Sequence, residues 1–440
     1  MTNTPTGSDE TSSPDTLLTA PSSRPSGFAD DGTGHIVVVH RWQDRYAHYE
    51  QYFDHTARPV TYITTEVGRL SVPQDAAEVV LVSGTDDPAA LRAAVAGLAE
   101  RHGAPHAIVA LKEGDLPVVS RLREEFGTAG ARPGDLHRFL DKYAMAEAVA
   151  TLGLDMPAFA AAPDRQAVRE FADRHGWPVI VKPLRGSASH GVRRLSGPAD
   201  LDTLSFDAHR PMMVQEYLDL PIVHVDGLYQ RDGLGPWRAS RYLNTCLGFT
   251  TGDRLGSFEM DDPEAVEAIE RYLSVLIPGL NDQPWVFHLE LFLDTHADGT
   301  TRPVFLEVGA RVGGAEIPWL WREVHGIDLM HAECTLQTGG DPSLPRLSAD
   351  EPVAGWLLVP LTVPRPCRVV ASTPMAGPRG PYAEKVPAPG TVIPDADAFY
   401  EHTGGRFRFR GATSDEVAFR IDDVARRYVI ECEVLAPVAG

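Results

Sequence analysis

Residues 285–314 read WVFHLELFLDTHADGTTRPVFLEVGARVGG, and this stretch decides more about the fold than any other. Two apolar runs flank the turn-rich segment THADGTTR, so the stretch is predicted to form a long hairpin. Each run carries one glutamate, Glu290 and Glu307, in surroundings where an unpaired carboxylate is costly to desolvate. Period-two alternation puts His288, Glu290 and Phe292 on one face of the first strand, and Phe305, Glu307, Gly309 and Arg311 on one face of the second. With the hairpin formed, both carboxylates face one cavity. Two converging hard oxygen donors suit Mg²⁺, which takes one or two protein carboxylates and fills its shell with phosphate oxygens and water. The competing reading is a salt-bridged or rim-exposed pair.

Upstream, the chain supplies cations and a loop of small residues. A helix is predicted over about 141–152, starting at Asp141 with Lys142 in its first turn. A second runs from Asp164 to Gly176, with Val168, Phe171 and Ala172 as its apolar repeat, and leads into the strand PVIVKP that carries Lys182. The loop RGSASHGV (185–192) follows, where Gly186, Ser187, Ala188 and Ser189 let backbone N–H groups approach phosphate oxygens. It is not a Walker A loop, because no GxxxxGK[ST] occurs in the chain. Lys182 and Lys142 are long cations that can reach phosphates, although any one lysine taken alone reads as solvated surface. PMMVQEYL and IVHVDGLY, next along the chain, are read as an antiparallel strand pair.

At the start, HIVVVH (35–40) has the unbroken β-branched character of a strand buried on both faces of a parallel sheet. Strands near Val80 and ending at Leu111 alternate with Ala-rich helical stretches, one of them ending at Gly103, which implies an α/β unit. Residues 1–33 are rich in Thr, Ser, Pro, Asp and Gly and are expected to be a disordered tail. They do not resemble a secretory signal, and no run approaches the roughly 20 apolar residues of a membrane span. Beyond residue 340, a Pro-rich stretch suggests a boundary, and WLLVPLTV and RYVIECEVLA suggest a small β-rich closing domain.

Length and charge bound the function. A chain of 440 residues with 43% hydrophobic content divides into several packed units rather than one. The 61 acidic and 40 basic side chains give a net charge of −21, which argues against nucleic acid as a partner. The four cysteines, Cys246, Cys334, Cys367 and Cys432, form no CxxC or zinc pattern, so a reducing cytoplasm is the expected setting.

Taken in order, DKYAM, VIVKPLRGSASHGV, VQEYL, HLELF and FLEVGARVGG resemble the ATP-grasp superfamily over roughly residues 105–335. HLELF together with FLEVGARVGGAEIP resembles its carboxylate–amine ligase branch, which includes L-amino acid ligases and carnosine synthase. The resemblance implies a multidomain α/β and α+β chain. Residues 34–130 would form a Rossmann-like pre-ATP-grasp domain, 131–205 and 206–340 the two lobes that clamp ATP, and 341–440 the small β-rich C-terminal domain. It implies that Lys142 and Lys182 contact phosphates under the loop bearing Gly186, Ser187 and Ser189. Gln215 and Glu216 would lie at the adenine edge, the backbone of Leu218 would reach the ring, and Glu290 and Glu307 would bind Mg²⁺, with Mn²⁺ as a substitute. Arg311, with Lys182, would neutralise the transferred phosphoryl group or the oxyanion of amine attack.

Two departures from the family pattern stand out. Gly309 replaces an Asn that many relatives place two positions after the second metal glutamate, which leaves fewer protein ligands for a second Mg²⁺. Ile222 stands where an acidic residue often grips the ribose, and His224 or Asp226 is expected to serve instead. Glu113 in LKEGD suits a substrate ammonium, Arg241 in SRYLNT suits a carboxylate, and His288 could line the site; ion-paired or core roles compete for all three. The implied reaction joins amino-acid-type substrates through an acylphosphate, releasing ADP and phosphate. The competing readings are another acceptor, such as a carrier protein or a carboxylation, or a non-catalytic nucleotide-binding module. Oligomeric state stays open, a homodimer included.

Overall fold

The structure, a computed structural model, describes residues 34–186, 190–250, 252–348, 350–361, 363–394 and 403–435. The tail 1–33 expected to be disordered, and Ser187 and Ser189 of the small-residue loop, lie outside the described residues. Why HIVVVH is apolar throughout is visible in its surroundings. His35–His40 is an interior strand of four parallel strands, ordered Glu78–Leu81, Val60–Thr64, His35–His40 and Pro105–Ala110. Val37 and Val39 pack under the helices Pro88–His102 and Leu116–Phe126, with Leu91, Val95, Leu98, Val119 and Leu122. Ile36 and Val38 face the other way, onto Trp321, Leu329, Met330 and Cys334. A strand covered on both sides has no use for alternation. The first helix starts at Asp87, whose carboxylate accepts from the amides of Ala89 and Ala90 at 2.9 and 3.1 Å, and stops at Gly103, whose φ of +87° favours glycine.

A second sheet has four antiparallel strands, ordered Phe159–Ala161, Met212–Glu216, Val179–Pro183 and Arg193–Leu195. Helix Arg165–His175, capped by Asp164, covers one face through Val168, Phe171 and Ala172. The third sheet is the scaffold of the site. Its eight antiparallel strands run in the order Thr301–Gly309, Trp285–Thr295, Ile222–Gln230, Gly233–Tyr242, Leu255–Glu259, Val353–Val359, Gly405–Gly411 and Ala383–Lys385. Helix Pro263–Leu280 backs the first half of one face, against Val223, Val225, Leu289 and Leu291. Helix Ser414–Arg427 backs the second half, against Leu357, Phe407 and Phe409.

The expected pairing of PMMVQEYL with IVHVDGLY is corrected. Met212–Glu216 joins Phe159–Ala161 and Val179–Pro183, whereas Ile222–Gln230 pairs with Gly233–Tyr242 and Trp285–Thr295 in the other sheet. Alternation tells which side of a strand is apolar, not which strand lies beside it. Residues beyond 340 contribute three strands to the central sheet, and Cys367–Ser372, Val392–Ile393 and Ile430–Val434 form a small sheet of their own. Among the described residues, no helix is long and apolar enough to cross a membrane.

A buried ion network ties the C-terminal strands to the first domain. The Arg406 guanidinium donates to Glu316, to Asp44 at 2.7 Å and to the Tyr46 hydroxyl at 2.8 Å, and lies over the Trp319 ring. Burial alone would lower the pKa of Arg406, but Tyr46, Glu316 and Asp44 raise it instead. Glu316→Gln removes one partner and leaves a buried cation under-compensated, at a cost of about 3 kcal/mol. The expected result is a lower denaturant midpoint, and an unchanged midpoint would refute the account.

Candidate active site

The two glutamates sit directly opposite one another. In the hairpin, Glu290 pairs with Glu307 and His288 with Gly309, and a shift in register then sets Leu291 opposite Phe305. Leu306 is thereby left over as a bulge residue. The bulge corrects the expected alternation: Phe305 joins Leu289 and Leu291 in the core beneath helix Pro263–Leu280, while Glu307 turns to the opposite face with Glu290. Neither carboxylate is sealed off, with side chains 23% and 32% exposed. The Tyr242 hydroxyl donates to Glu290 Oε1 at 3.1 Å. The Lys142 ammonium donates to Glu307 Oε1 at 2.6 Å and to the carbonyl of Gly186 at 2.8 Å.

Helix Lys142–Ala150 starts where it does because the Asp141 carboxylate accepts from the amides of Tyr143 and Ala144. The Lys142 amide donates to the Leu184 carbonyl at 2.8 Å, which stitches the helix start to the strand bearing Lys182. On that strand, Val179 and Val181 face the core under helix Arg165–His175, so Lys182 is on the other side with Ile180, in register with Met213 and Gln215. Gln215 is buried, Glu216 accepts from the Ala158 amide at 3.3 Å, and Leu218 is half-buried in the segment leading to the central sheet.

Lys182 is 5% exposed, and among the described residues its ammonium has no hydrogen bond or ion pair. Burial, aided by Lys142 and opposed by Glu307 and Glu290, pushes its pKa down to about 8. Lys142 goes the other way: burial would lower it, but Glu307 holds it above the usual lysine value. Burial would raise Glu307, yet Lys142, Lys182 and Arg311 keep it below the usual carboxylate range. Two carboxylates in register, a lysine paired with one of them and a second, buried lysine beside them fit a Mg²⁺–triphosphate group.

Arg311 and Glu113, predicted from separate segments, meet. Arg311 Nε donates to Glu113 Oε2, and Nη1 donates to the Val312 carbonyl at 3.0 Å. Glu113 follows strand Pro105–Ala110, at the carboxyl end of the parallel sheet, where open α/β sheets place their ligands. His288 lies on the carboxylate face, its Nε2 4.0 Å from Glu290 Oε1. The structure does not bring one of the predicted residues to its expected place. Arg241 pairs with Val223 and Phe258 and shares the helix-covered face with Ala239, so it cannot reach the carboxylates. His224 and Asp226 are buried in the sheet and bonded to each other at 2.6 Å.

Tyr242 and Ser257 were missed in the sequence. Tyr242 is one residue along from Arg241 and so takes the site face, but only the strand register reveals this. Burial first and Glu290 second push the Cys246 thiol up to about 12.

No family model matches the chain. A curated D-alanine–D-alanine ligase from Streptomyces griseus is 37% identical over 46 residues, 10% of this chain and 12% of that ligase. Solved structures align far more widely. The L-amino acid ligase of Bacillus licheniformis matches with a TM-score of 0.67 at 16% identity, over 91% of this chain and 98% of that one. The biotin carboxylase domain of Hydrogenobacter thermophilus 2-oxoglutarate carboxylase, solved with MgADP, ADP and bicarbonate, matches with a TM-score of 0.64 at 14% identity, over 91% of both chains. At these identities the likeness is one of fold, and it agrees with the order of lysines and glutamates in this site: the chain has the ATP-grasp fold.

Proposed function

We propose that the protein is an ATP-dependent carboxylate–amine ligase that joins amino-acid-type substrates through an acylphosphate. The observation that carries this reading is the convergence of Lys142, Lys182, Glu290, Glu307 and the Arg311–Glu113 pair from three sheets onto one cluster of charges. In this reading Lys182 and Lys142 bind the nucleotide phosphates, and Gln215, Glu216 and Leu218 flank the adenine. Glu290 and Glu307 hold Mg²⁺, which when bound offsets charge on the phosphates. The substrate carboxylate takes the γ-phosphoryl group, because oxide leaves too poorly for an amine to displace it whereas phosphate leaves readily. Arg311 lies where it can stabilise charge on the transferring group and on the tetrahedral adduct. Glu113, paired with Arg311, is the carboxylate that would receive a substrate ammonium. The absence of a long apolar helix among the described residues and the cysteine usage support a cytoplasmic setting.

Biotin carboxylase shares the fold, which keeps carboxylation as the second reading. The test is phosphate release from Mg-ATP across paired L-amino acids, with bicarbonate wells included and mass spectrometry of positive wells. ADP with an amide product is expected. Release that depends on bicarbonate alone would replace the ligase reading with carboxylation, and failure to bind ATP would overturn both.

A further inference from the structure

A cavity of about 720 Å³ opens at the end of the central sheet where strand Trp285–Thr295 begins. Its walls come from helices Leu116–Phe126, Pro133–Leu140 and Leu329–Gln337, the last turn of helix Pro263–Leu280 and the start of that strand. None of Glu113, Arg311, Glu290 and Glu307 lines it. The polar part of the lining is a divided ion pair. Arg123 is 1% exposed and donates to the carbonyls of Ile108 at 2.9 Å and Ala131 at 3.4 Å and to Gln337 Oε1. All three acceptors are neutral, and among the described residues no carboxylate lies within ion-pair distance of this guanidinium. Glu333 lines the same cavity, and Gln337 Nε2 donates to its Oε1 at 2.5 Å. One carboxamide therefore stands between the cation and the carboxylate. It is fixed there because it also exchanges two hydrogen bonds with the backbone of Ala110.

Buried charges persist where they are paired, and here each charge lacks its partner. Burial lowers the pKa of Arg123 to about 10 and raises that of Glu333. A guanidinium has five N–H groups, and the three bonds of Arg123 leave one N–H on each terminal nitrogen. Gly130, with a φ of +96°, keeps the chain close to this group, since a Cβ there would come within 2.9 Å of Arg123 Nε. The Trp285 indole N–H, on the same cavity wall, has no hydrogen-bond partner among the described residues. Donors at one end, a carboxylate at the other and walls of Leu116, Leu136, Phe139 and Leu336 suit a small molecule with both charges and an apolar body. A polyanion is disfavoured, because Glu333 and Asp135 both line the cavity and repel it. We propose that this cavity is a second small-molecule site that takes an α-amino acid with an apolar side chain, its carboxylate on Arg123 and its ammonium on Glu333. The volume lies in the range of roughly 300–1,000 Å³ usual for such sites. No nucleotide enters the argument, so the inference goes beyond the ligase reading and stands without it.

The test is calorimetric titration of the nucleotide-free full chain with L-leucine and L-phenylalanine, beside 4-methylpentanoate and 3-methylbutylamine, which each keep one of the two charges of leucine. Saturable binding of the amino acids is expected, with both single-charge analogues weaker by roughly tenfold or more, the scale of one charge-assisted hydrogen bond. Glu333→Gln keeps an acceptor for Gln337 but removes the charge, and should weaken L-leucine binding by roughly the same factor. Leu336→Trp fills the cavity from a half-buried wall position and should abolish binding. The two variants act through different chemistry, so one that fails to fold leaves the other to decide. Glu113→Gln, at the reacting cluster, should leave this binding within about twofold. The proposal is overturned if neither amino acid binds, if Glu113→Gln abolishes the binding, if affinity is unchanged in the cavity variants, or if 4-methylpentanoate binds as tightly as L-leucine. Phosphate release from Mg-ATP tests the ligase reading separately, because no outcome of these titrations depends on turnover.

Discussion

Glu307→Gln is expected to lower ATP-dependent product formation by roughly 10²–10³-fold, the scale on which one preorganised charge at a phosphoryl or acyl transfer site acts. Glu307 lies opposite Glu290 and is the carboxylate that Lys142, Lys182 and Arg311 together keep ionised. The glutamine is nearly isosteric, so the hairpin and its bulge stay in place while the negative charge goes. Lys142 loses its ion-pair partner at 2.6 Å, and the proposed metal site keeps one carboxylate. Steady-state turnover at several Mg²⁺ concentrations checks this: activity should recover partly as Mg²⁺ is raised, because the defect lies in holding the ion. A turnover rate within twofold of wild type would remove the metal assignment.

Lys182→Met should weaken nucleotide binding by roughly a hundredfold, the scale of a charge-assisted hydrogen bond in a buried site. Its effect on the free protein should have the opposite sign. The folded-state pKa of Lys182 is depressed to about 8 from 10.5, so its charged form costs stability below pH 8, and that cost is relieved as pH rises from 8 towards 10.5. Methionine fills similar volume without the charge, so the variant is expected to unfold at a higher denaturant concentration at pH 7 than the wild type. Nucleotide binding calls for the charged lysine, so wild-type affinity should fall as pH rises through about 8, and Lys182→Met should show no such fall. Calorimetric titration with Mg-ATP from pH 6.5 to 9 separates the cases. Equal pH profiles for the two proteins would show that Lys182 does not meet the phosphates.

Much of the local structure was legible. HIVVVH announced a strand buried on both faces, and Asp141 and Asp164 announced helix starts that their carboxylates cap through the amides that follow. The two apolar runs on either side of THADGTTR announced a hairpin. These are short-range features, fixed by propensity, capping chemistry and periodicity within a few residues of one another.

The placement of Arg241 was not legible. Ser240, Arg241 and Tyr242 are each plausible site residues by type, and register alone gives the carboxylate face to Tyr242 and the helix-covered face to Arg241. The bulge at Leu306 likewise leaves no mark in FLEVG, although it decides that Phe305 is core and Glu307 is site. The hydrogen-bonded Ser257–His224–Asp226–His288 chain joins three strands, one of them a strand removed from the other two, whose order in the sheet no local pattern encodes.

By itself, then, the sequence determined the elements, the residue types that could meet a nucleotide, and the order in which they occur. The tertiary structure decided that the strands beyond residue 340 extend the central sheet, that Glu113 reaches Arg311, and that Arg241 does not reach the cleft. The physical reason is that periodicity assigns each side chain to one of two faces, whereas the partner across a face is selected by long-range pairing and packing between segments far apart in the chain.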